Sequence, residues 1–202
     1  PYITPEPATK YSAQYMLCDL SEFPTFWTNR VFAEHYKLDS VKAVKQERFD
    51  LIYKNTERRF TKCSDFTEYL RAIRKKGYTA FLSVHDDGSH FLNRTDKKIL
   101  KKCGISKTPT FRQSFLAVID DGKALYSNTG TEKLSYNCTI DDKQFSLLSQ
   151  GKYNTIDADC SIKMNNQELT SPAGGMHVIV YNKKKHCLVD SVTFTLCRDR
   201  NF

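Results

Sequence analysis

The sequence contains no apolar run near the roughly 20 residues that a membrane-spanning helix needs. Its longest apolar stretches, at 115–119 and 178–181, have the length of a strand. No membrane span is therefore expected. The chain begins at Pro1 with neither an initiator Met nor a signal-peptide pattern, and we expect a mature or trimmed product.

Motifs of the common enzyme classes are also missing. The chain has no G-x-S-x-G, no H-E-x-x-H, no P-loop and no G-x-G-x-x-G. It has no C-x-x-C and no paired Cys/His spacing that would predict zinc. These absences argue against an enzyme that uses such motifs, and we expect no cofactor and no metal.

The composition is that of an ordinary globular protein. The 202 residues are 40% hydrophobic and 27% charged, which predicts one or at most two domains. Lys and Arg outnumber Asp and Glu by 31 to 23, and the net charge of +8 favours anionic partners such as sulfated or sialylated glycans, nucleic acid or acidic lipids. The basic residues are clustered at 58–59, 74–76, 97–98, 101–102 and 183–185, each of which is more typical of a solvated face than of a binding tail.

Seven scattered cysteines predict disulfides in an oxidising compartment, with one thiol left over that could join two copies of the chain. Two glycosylation sequons, at Asn93 and Asn137, agree with secretion, although Cys138 inside the second could tuck Asn137 out of reach. Secretion also argues against nucleic acid as the partner. The disulfide candidates are Cys18, Cys63, Cys103, Cys138, Cys160, Cys187 and Cys197.

Local patterns place helices in the first two-thirds of the chain and strands mostly in the last third. A helix over 66–73 is predicted to start at Ser64 and stop at Gly77, and a second to start at Thr95 and stop at Gly104. A further helix is predicted to follow Thr28. Strands are predicted at 11–18, 45–53, 78–84, 113–119, 145–149, 159–164, 167–170, 176–182 and 186–196. The pattern predicts an α+β fold in which antiparallel sheets stack as a sandwich with helices packed outside.

Two clusters are candidate sites. His85, Asp86 and Asp87 follow a predicted strand and could build a hydrolytic or metal site, but such carboxylates more often bond the backbone of a turn. Trp27, with Phe23 and Phe26, is either a ligand platform or a core anchor. We expect no catalytic residue; His85, Asp86, Asp87 and Trp27 are the candidate ligand-binding residues.

Several segments resemble one secreted family. The elements that carry the resemblance are Phe49-Asp50, the helix at 66–73, the strand end Ser83-Val84-His85-Asp86-Asp87-Gly88, Leu92-Asn93, Cys103-Gly104, Phe111-Arg112-Gln113-Ser114-Phe115 and Gly122-Lys123. In this order they resemble the ILEI/PANDER domain of interleukin-like EMT inducer and pancreatic-derived factor. Gln113 and Phe115 depart from the Asp and Trp of the family pattern.

The remaining family elements come last in this chain, whereas they come first in the family. They are Phe145-Ser146 to Ser149, 160–164, 174–182 and 189–194. The two parts are therefore swapped, which predicts either a circularly permuted single domain, the interpretation we favour, or a piece of tandem repeats. Both 47–52 and 189–196 could occupy the same strand. Residues 1–40 match no family element and form an N-terminal extension, while 41–202 form the domain.

The resemblance implies a function in binding. Family members act as cytokine-like ligands, so a non-enzymatic ligand or modulator of a cell-surface receptor protein is the first expectation. A related domain serves as a carbohydrate-binding stem, so a lectin-like module for cell-surface or acidic glycans is the alternative, and a His/Asp-based hydrolase is less favoured.

Overall fold

The computed structural model describes residues 41–45, 55, 57–63, 65–89, 92–155, 157–170 and 174–196. All of these belong to one compact unit, Ser40–Cys197. The predicted strand at 11–18, the helix after Thr28, the Trp27 cluster and the extension 1–40 lie outside the described residues, as does nearly all of the predicted strand at 45–53. No helix in the described part is long and apolar enough to cross a membrane.

The described residues form a mixed fold that is rich in strands and has few helices, and the predicted α+β class is confirmed at that level. The helices are α1 (Arg58–Thr61), α2 (Phe66–Ile73) and α3 (Arg94–Lys102). The strands are β1 (Val41–Lys45), β2 (Tyr78–Asp86), β3 (Ser114–Asp120), β4 (Lys123–Gly130), β5 (Leu134–Ile140), β6 (Lys143–Gly151), β7 (Asp159–Met164), β8 (Gln167–Glu168), β9 (Gly175–Asn182) and β10 (Cys187–Leu196).

The two longer helices begin one or two residues from the predicted positions. Asp65, not Ser64, caps α2, because its carboxylate accepts a hydrogen bond from the Glu68 backbone N–H at 2.8 Å. Asn93, not Thr95, caps α3 through a capping box with Asp96. The predicted stop of α3 is confirmed, because Gly104 directly follows the C-cap Cys103 with a φ of 96°. α2 ends earlier than predicted, at Ile73 with Arg74 as its C-cap, and Gly77, with a φ of 95°, lies in the turn that leads into β2.

One strand path crosses the sheet in the order β1-β10-β9-β2-β6-β7-β8, while β3 pairs with β2 and β4, and β5 pairs with β6. All of these pairs are antiparallel except β2 with β6. β2 pairs with β3 over 79–83 and then with β6 at His85 and Asp86. The sheet therefore forks at the end of β2. The late strands β9 and β10 lie between β1 and β2, so 189–196 occupies a place in the sheet, while 47–52 lies outside the described residues.

Three buried serines satisfy the backbone where the sheet forks. Ser149 donates to the Val84 carbonyl at 2.7 Å and accepts from the Phe115 N–H at 3.0 Å. Ser83 donates to the Leu148 carbonyl, and Ser114 accepts from the Gly151 N–H. A buried backbone group without a partner is costly, so these hydroxyls allow strands to change neighbours inside the protein.

Alternation along β2 divides the core into two clusters. Ala80, Leu82 and Val84 pack in the cluster that contains the apolar faces of α2 and α3. Phe81 points the other way, into a cluster with residues of β5, β6 and β7. The Phe81 and Phe145 rings stack there with their centroids 4.1 Å apart. Because both faces are covered, β2 and β9 are buried along almost their whole length.

A buried carboxylate lies within the helix-side cluster. The Tyr69 hydroxyl of α2 donates to Asp190 at 2.5 Å, where β10 has a bulge between Leu188 and Asp190. Burial raises the pKa of Tyr69 well above its ordinary value, and the neighbouring Asp190 adds to that rise. The contact ties α2 to the last strand of the sheet.

Candidate functional site

The sequence of α3 puts its basic residues on one face. Ile99 and Leu100 are buried, as is Asp96, whereas the basic residues are all exposed. With 100° between successive residues, the basic positions cover an arc of about 140° and extend for about 12 Å along the axis. This basic face of α3 consists of Arg94, Lys97, Lys98, Lys101 and Lys102.

Contacts at both ends hold α3 in place. At its start, Asn93 Oδ1 accepts from the Thr95 and Asp96 N–H groups, and Asp96 accepts from the Thr67 hydroxyl of α2 at 2.5 Å. At its end, the Cys103 carbonyl accepts from the Ala124 N–H of β4 at 2.6 Å. The basic face is thus carried by an element anchored to both a helix and a strand.

None of the five cations is in an ion pair with another described residue. They form five like-charge pairs at i,i+3 or i,i+4, which together destabilise the helix by about 1–2.5 kcal/mol. A polyanion lying along this face would offset the repulsion between the five cations with electrostatic attraction.

The basic turn at 183–185 differs, because its charges are used within the protein. Lys183 pairs with Asp120 at 2.7 Å and with Asp121 at 2.8 Å, and Lys185 pairs with Glu57 at 3.2 Å. The hydrogen bond from Lys183 lowers the pKa of the Asp121 carboxyl. This cluster is therefore much less available to an anionic partner than its sequence indicates.

The candidate residues His85, Asp86 and Asp87 lie at the fork of the sheet. Asp87 accepts from the Ser89 N–H at 2.7 Å and from the Arg112 N–H at 3.0 Å, so its carboxylate organises two backbone segments. Asp86 has a φ of 70° and approaches Lys152 at 3.5 Å. Asp87 thus agrees with the alternative that these carboxylates bond the backbone of a turn rather than a ligand or metal.

Two polar atoms at the fork are buried without a hydrogen-bond partner among the described residues: Nδ1 of His85 and Oδ1 of Asp86. Burial lowers the pKa of His85, which favours the neutral ring. No three His, Cys, Asp or Glu side chains of the described ranges come close enough to hold a metal ion. The three serine hydroxyls at the fork are used in hydrogen bonds to the backbone. The two unpartnered polar atoms by themselves specify no ligand.

Five of the seven candidate cysteines lie in the described ranges, and the predicted disulfides stay a prediction. No disulfide joins any two of these five, and Cys18 and Cys197 lie outside the described residues. β6 separates Cys138 on β5 from Cys160 on β7, so these two cannot meet. Burial raises the pKa of Cys138 to about 11 and that of Cys160 to about 12, which keeps both thiols protonated.

The two sequons have different surroundings. Asn93 is the cap of α3, and its Nδ2 donates to the Thr67 hydroxyl at 3.2 Å. Asn137 is exposed on β5, because strand alternation turns Cys138 inward and leaves Asn137 and Thr139 outward. The expectation that Cys138 would hide Asn137 is therefore wrong.

Sequence reasoning missed Arg94 as part of the basic face and Asn93 as its cap. Helical spacing could have found the first, since Arg94 precedes Lys98 by four residues. The three serines at the fork carry no sequence signal, because only strand pairing brings them together. Comparison with protein-family models, curated proteins and solved structures finds no match for this chain.

Proposed function

We propose that this chain is a secreted, non-enzymatic binding protein of ILEI/PANDER type, in permuted order, with stacked sheets and helices outside. The element order supports the proposal: α2, β2 ending at Asp86, α3 ending before Gly104, and then strands. The position of β9 beside β2, with β10 next to β9, supports a single permuted domain, because the late strands extend the sheet that β2 begins.

The ligand that the geometry supports best is an acidic glycan of the cell surface or matrix. The basic face of α3 carries this proposal, since five exposed cations stand together without an internal partner among the described residues. A sulfated polysaccharide presents closely spaced anions on a flexible chain and can follow a 12 Å row of cations. Binding of this kind is salt-sensitive.

Removing three of the cations tests the proposal. We compare the wild type with Lys97→Gln/Lys98→Gln/Lys101→Gln on immobilised heparin and measure the dissociation constant by titration. At about 0.2–1 kcal/mol for each exposed charge pair, three losses weaken binding roughly 3- to 150-fold. Glutamine keeps a straight side chain with good helix propensity, so the helix is retained.

A matched control carries the same change in net charge elsewhere. Lys133→Gln/Lys143→Gln/Lys163→Gln lowers the net charge from +8 to +5, as the α3 variant does, but on the β5–β8 side of the fold. We expect this control to bind heparin within a factor of about two of the wild type. Equal losses in both variants would show a response to net charge alone and would refute a site on α3.

A protein receptor is the second candidate, and β4 favours it. β4 pairs with β3, and no described strand pairs with its other side. Leu125 on this edge is 55% exposed. Beyond Ala124, whose N–H already bonds to the Cys103 carbonyl, an extended receptor segment could add to such an edge through backbone hydrogen bonds. Crosslinking of the protein to a receptor on cells that carry it should then fall with Leu125→Lys. Tyr153→Lys, which changes another exposed apolar side chain, is the control and should leave the crosslinking unchanged.

The proposal of binding without catalysis is supported by the surroundings of the reactive groups. Asp87 uses its carboxylate on backbone N–H groups, and the raised pKa of the Cys160 thiol disfavours the thiolate that a nucleophile requires. Turnover of any ester or glycoside that His85→Ala abolishes would contradict this part of the proposal.

A further inference from the structure

A depression of about 440 Å³ lies on the outer face of the β5–β6 hairpin. The side chains of Asn137 and Thr139 on β5 face those of Ser146 and Gln144 on β6, pair by pair, in the strand register. Asn166, in the turn between β7 and β8, completes the wall. The volume falls in the range of roughly 300–1,000 Å³ that is typical of ligand sites.

The lining chemistry is that of a neutral, hydroxyl-rich group. Asn137, Gln144 and Asn166 each offer an amide donor and an amide acceptor, and Thr139 and Ser146 add hydroxyls. No charged side chain of the described ranges lines the depression. The site therefore differs in kind from the basic face of α3 and suits an uncharged sugar.

One wall of the depression is itself a glycosylation sequon. Asn137 and Thr139 point outward together, and the middle residue, Cys138, points inward. A sugar joined to Asn137 Nδ2 would start at the rim of the depression. Asn93 is placed differently, since its side chain is occupied as the cap of α3 and in the bond to Thr67.

We infer that Asn137 carries an N-linked glycan and that the depression between β5 and β6 seats its first, neutral sugar residue. The inference rests on the proposed secretion. In the transfer, Asn137 Nδ2 forms a bond to the anomeric carbon of a lipid-diphosphate-linked oligosaccharide supplied by the secretory pathway. The anomeric C–O bond breaks, Nδ2 loses a proton and the lipid diphosphate leaves.

The experiment uses the full chain secreted from eukaryotic cells. Peptide mass spectrometry reads the occupancy of each sequon, and release by peptide N-glycosidase is timed on native and on denatured protein. We expect Asn137 to be occupied, and release from the native protein to be slower by roughly fivefold for each hydrogen bond that holds the sugar.

Wall variants separate a seated glycan from a projecting one. Gln144→Ala and Asn166→Gly keep the sequon and should each speed native release, and glycine is chosen at 166 because the φ there is 66°. Ser135→Ala, on the same face of β5 but outside the depression, is the control and should leave the rate unchanged.

An unoccupied Asn137 in the secreted protein would overturn the inference, and so would native release as fast as release after denaturation. Release that is slow but unaffected by both wall variants would also overturn it. Heparin binding, measured on the same preparations, tests the function of α3 separately. Absence of the chain from the medium would instead refute the proposed secretion.

Discussion

Removing the Phe145 ring tests whether the β5–β8 strands pack on the central strands as the structure shows. Phe145 is 1% exposed; its ring stacks on Phe81 with an interplanar angle of 19° and meets the edge of Tyr181 at 5.7 Å. Phe145→Ala removes a buried ring and leaves a cavity, which costs about 3–5 kcal/mol. That is a large part of the 5–15 kcal/mol by which a domain is ordinarily stable.

Urea unfolding, followed by circular dichroism, measures the loss. With an m value of about 2 kcal/mol/M, the midpoint should fall by about 1.5–2.5 M. The melting temperature should fall by about 6–20 °C for a unit of this size. Leu125→Ala is the matched control, since Leu125 is exposed and its truncation should cost less than about 0.5 kcal/mol.

A double-mutant cycle refines the result. Phe81→Leu and Phe145→Leu should be coupled by about 0.5–1.5 kcal/mol, because stacked rings contribute beyond the area that they bury. A cost below 1 kcal/mol for Phe145→Ala, or purely additive effects in the cycle, would contradict the packing of the two sets of strands on each other.

Three further predictions concern single positions. Gly122→Ala should cost about 1–3 kcal/mol in urea unfolding, because φ is 79° and a Cβ would meet the Arg74 carbonyl, whereas Gly130→Ala, with open space around it, should be neutral. Burial holds the pKa of His85 below its usual range, so the free energy of unfolding should decline as the pH falls below about 6.5, the pKa of an unfolded histidine. His85→Gln should flatten this dependence of stability on pH. An unchanged dependence would refute the assignment of this effect to His85. With a pKa of about 12, the Cys160 thiol is roughly one part in 10,000 thiolate at pH 8. Peptide mass spectrometry should therefore find Cys160 unlabelled by iodoacetamide in the native protein and labelled after denaturation. Rapid labelling of Cys160 in the native protein would contradict the burial that raises its pKa.

Several elements that depend only on neighbouring residues could be predicted, although β4 and β5 were not among the predicted strands. The amphipathic pattern of α2 and the strand at 159–164 agree with the structure, and Gly104 follows the end of α3 as expected, whereas α2 ends at Ile73, before the turn that contains Gly77. The two-residue turn between β3 and β4 has positive φ at both Asp121 and Gly122, and Asp-Gly is a residue pair that favours such a turn. Prediction was weaker for the caps, where several polar residues compete within two or three positions.

The candidate site could be predicted only in part. The lysines of α3 are recognisable as a basic cluster, and helical spacing shows that they share a face. Whether such a cluster is available depends on residues far away in the chain. Lys183 looked equivalent to Lys98 in composition, yet Asp120 and Asp121 neutralise it across more than 60 residues.

The sequence alone determined the positive charge of this protein, the faces of its helices and the alternation of its strands, because these follow from backbone geometry over a few residues. The tertiary structure alone decided which strands are neighbours, where the sheet forks and which cations find a carboxylate. Such contacts are set by the packing of distant segments, and the energy of each depends on burial and distance that no local pattern specifies. Asp87 shows the difference: its place after a strand is local, but its role depends on Arg112, which only the fold brings to it.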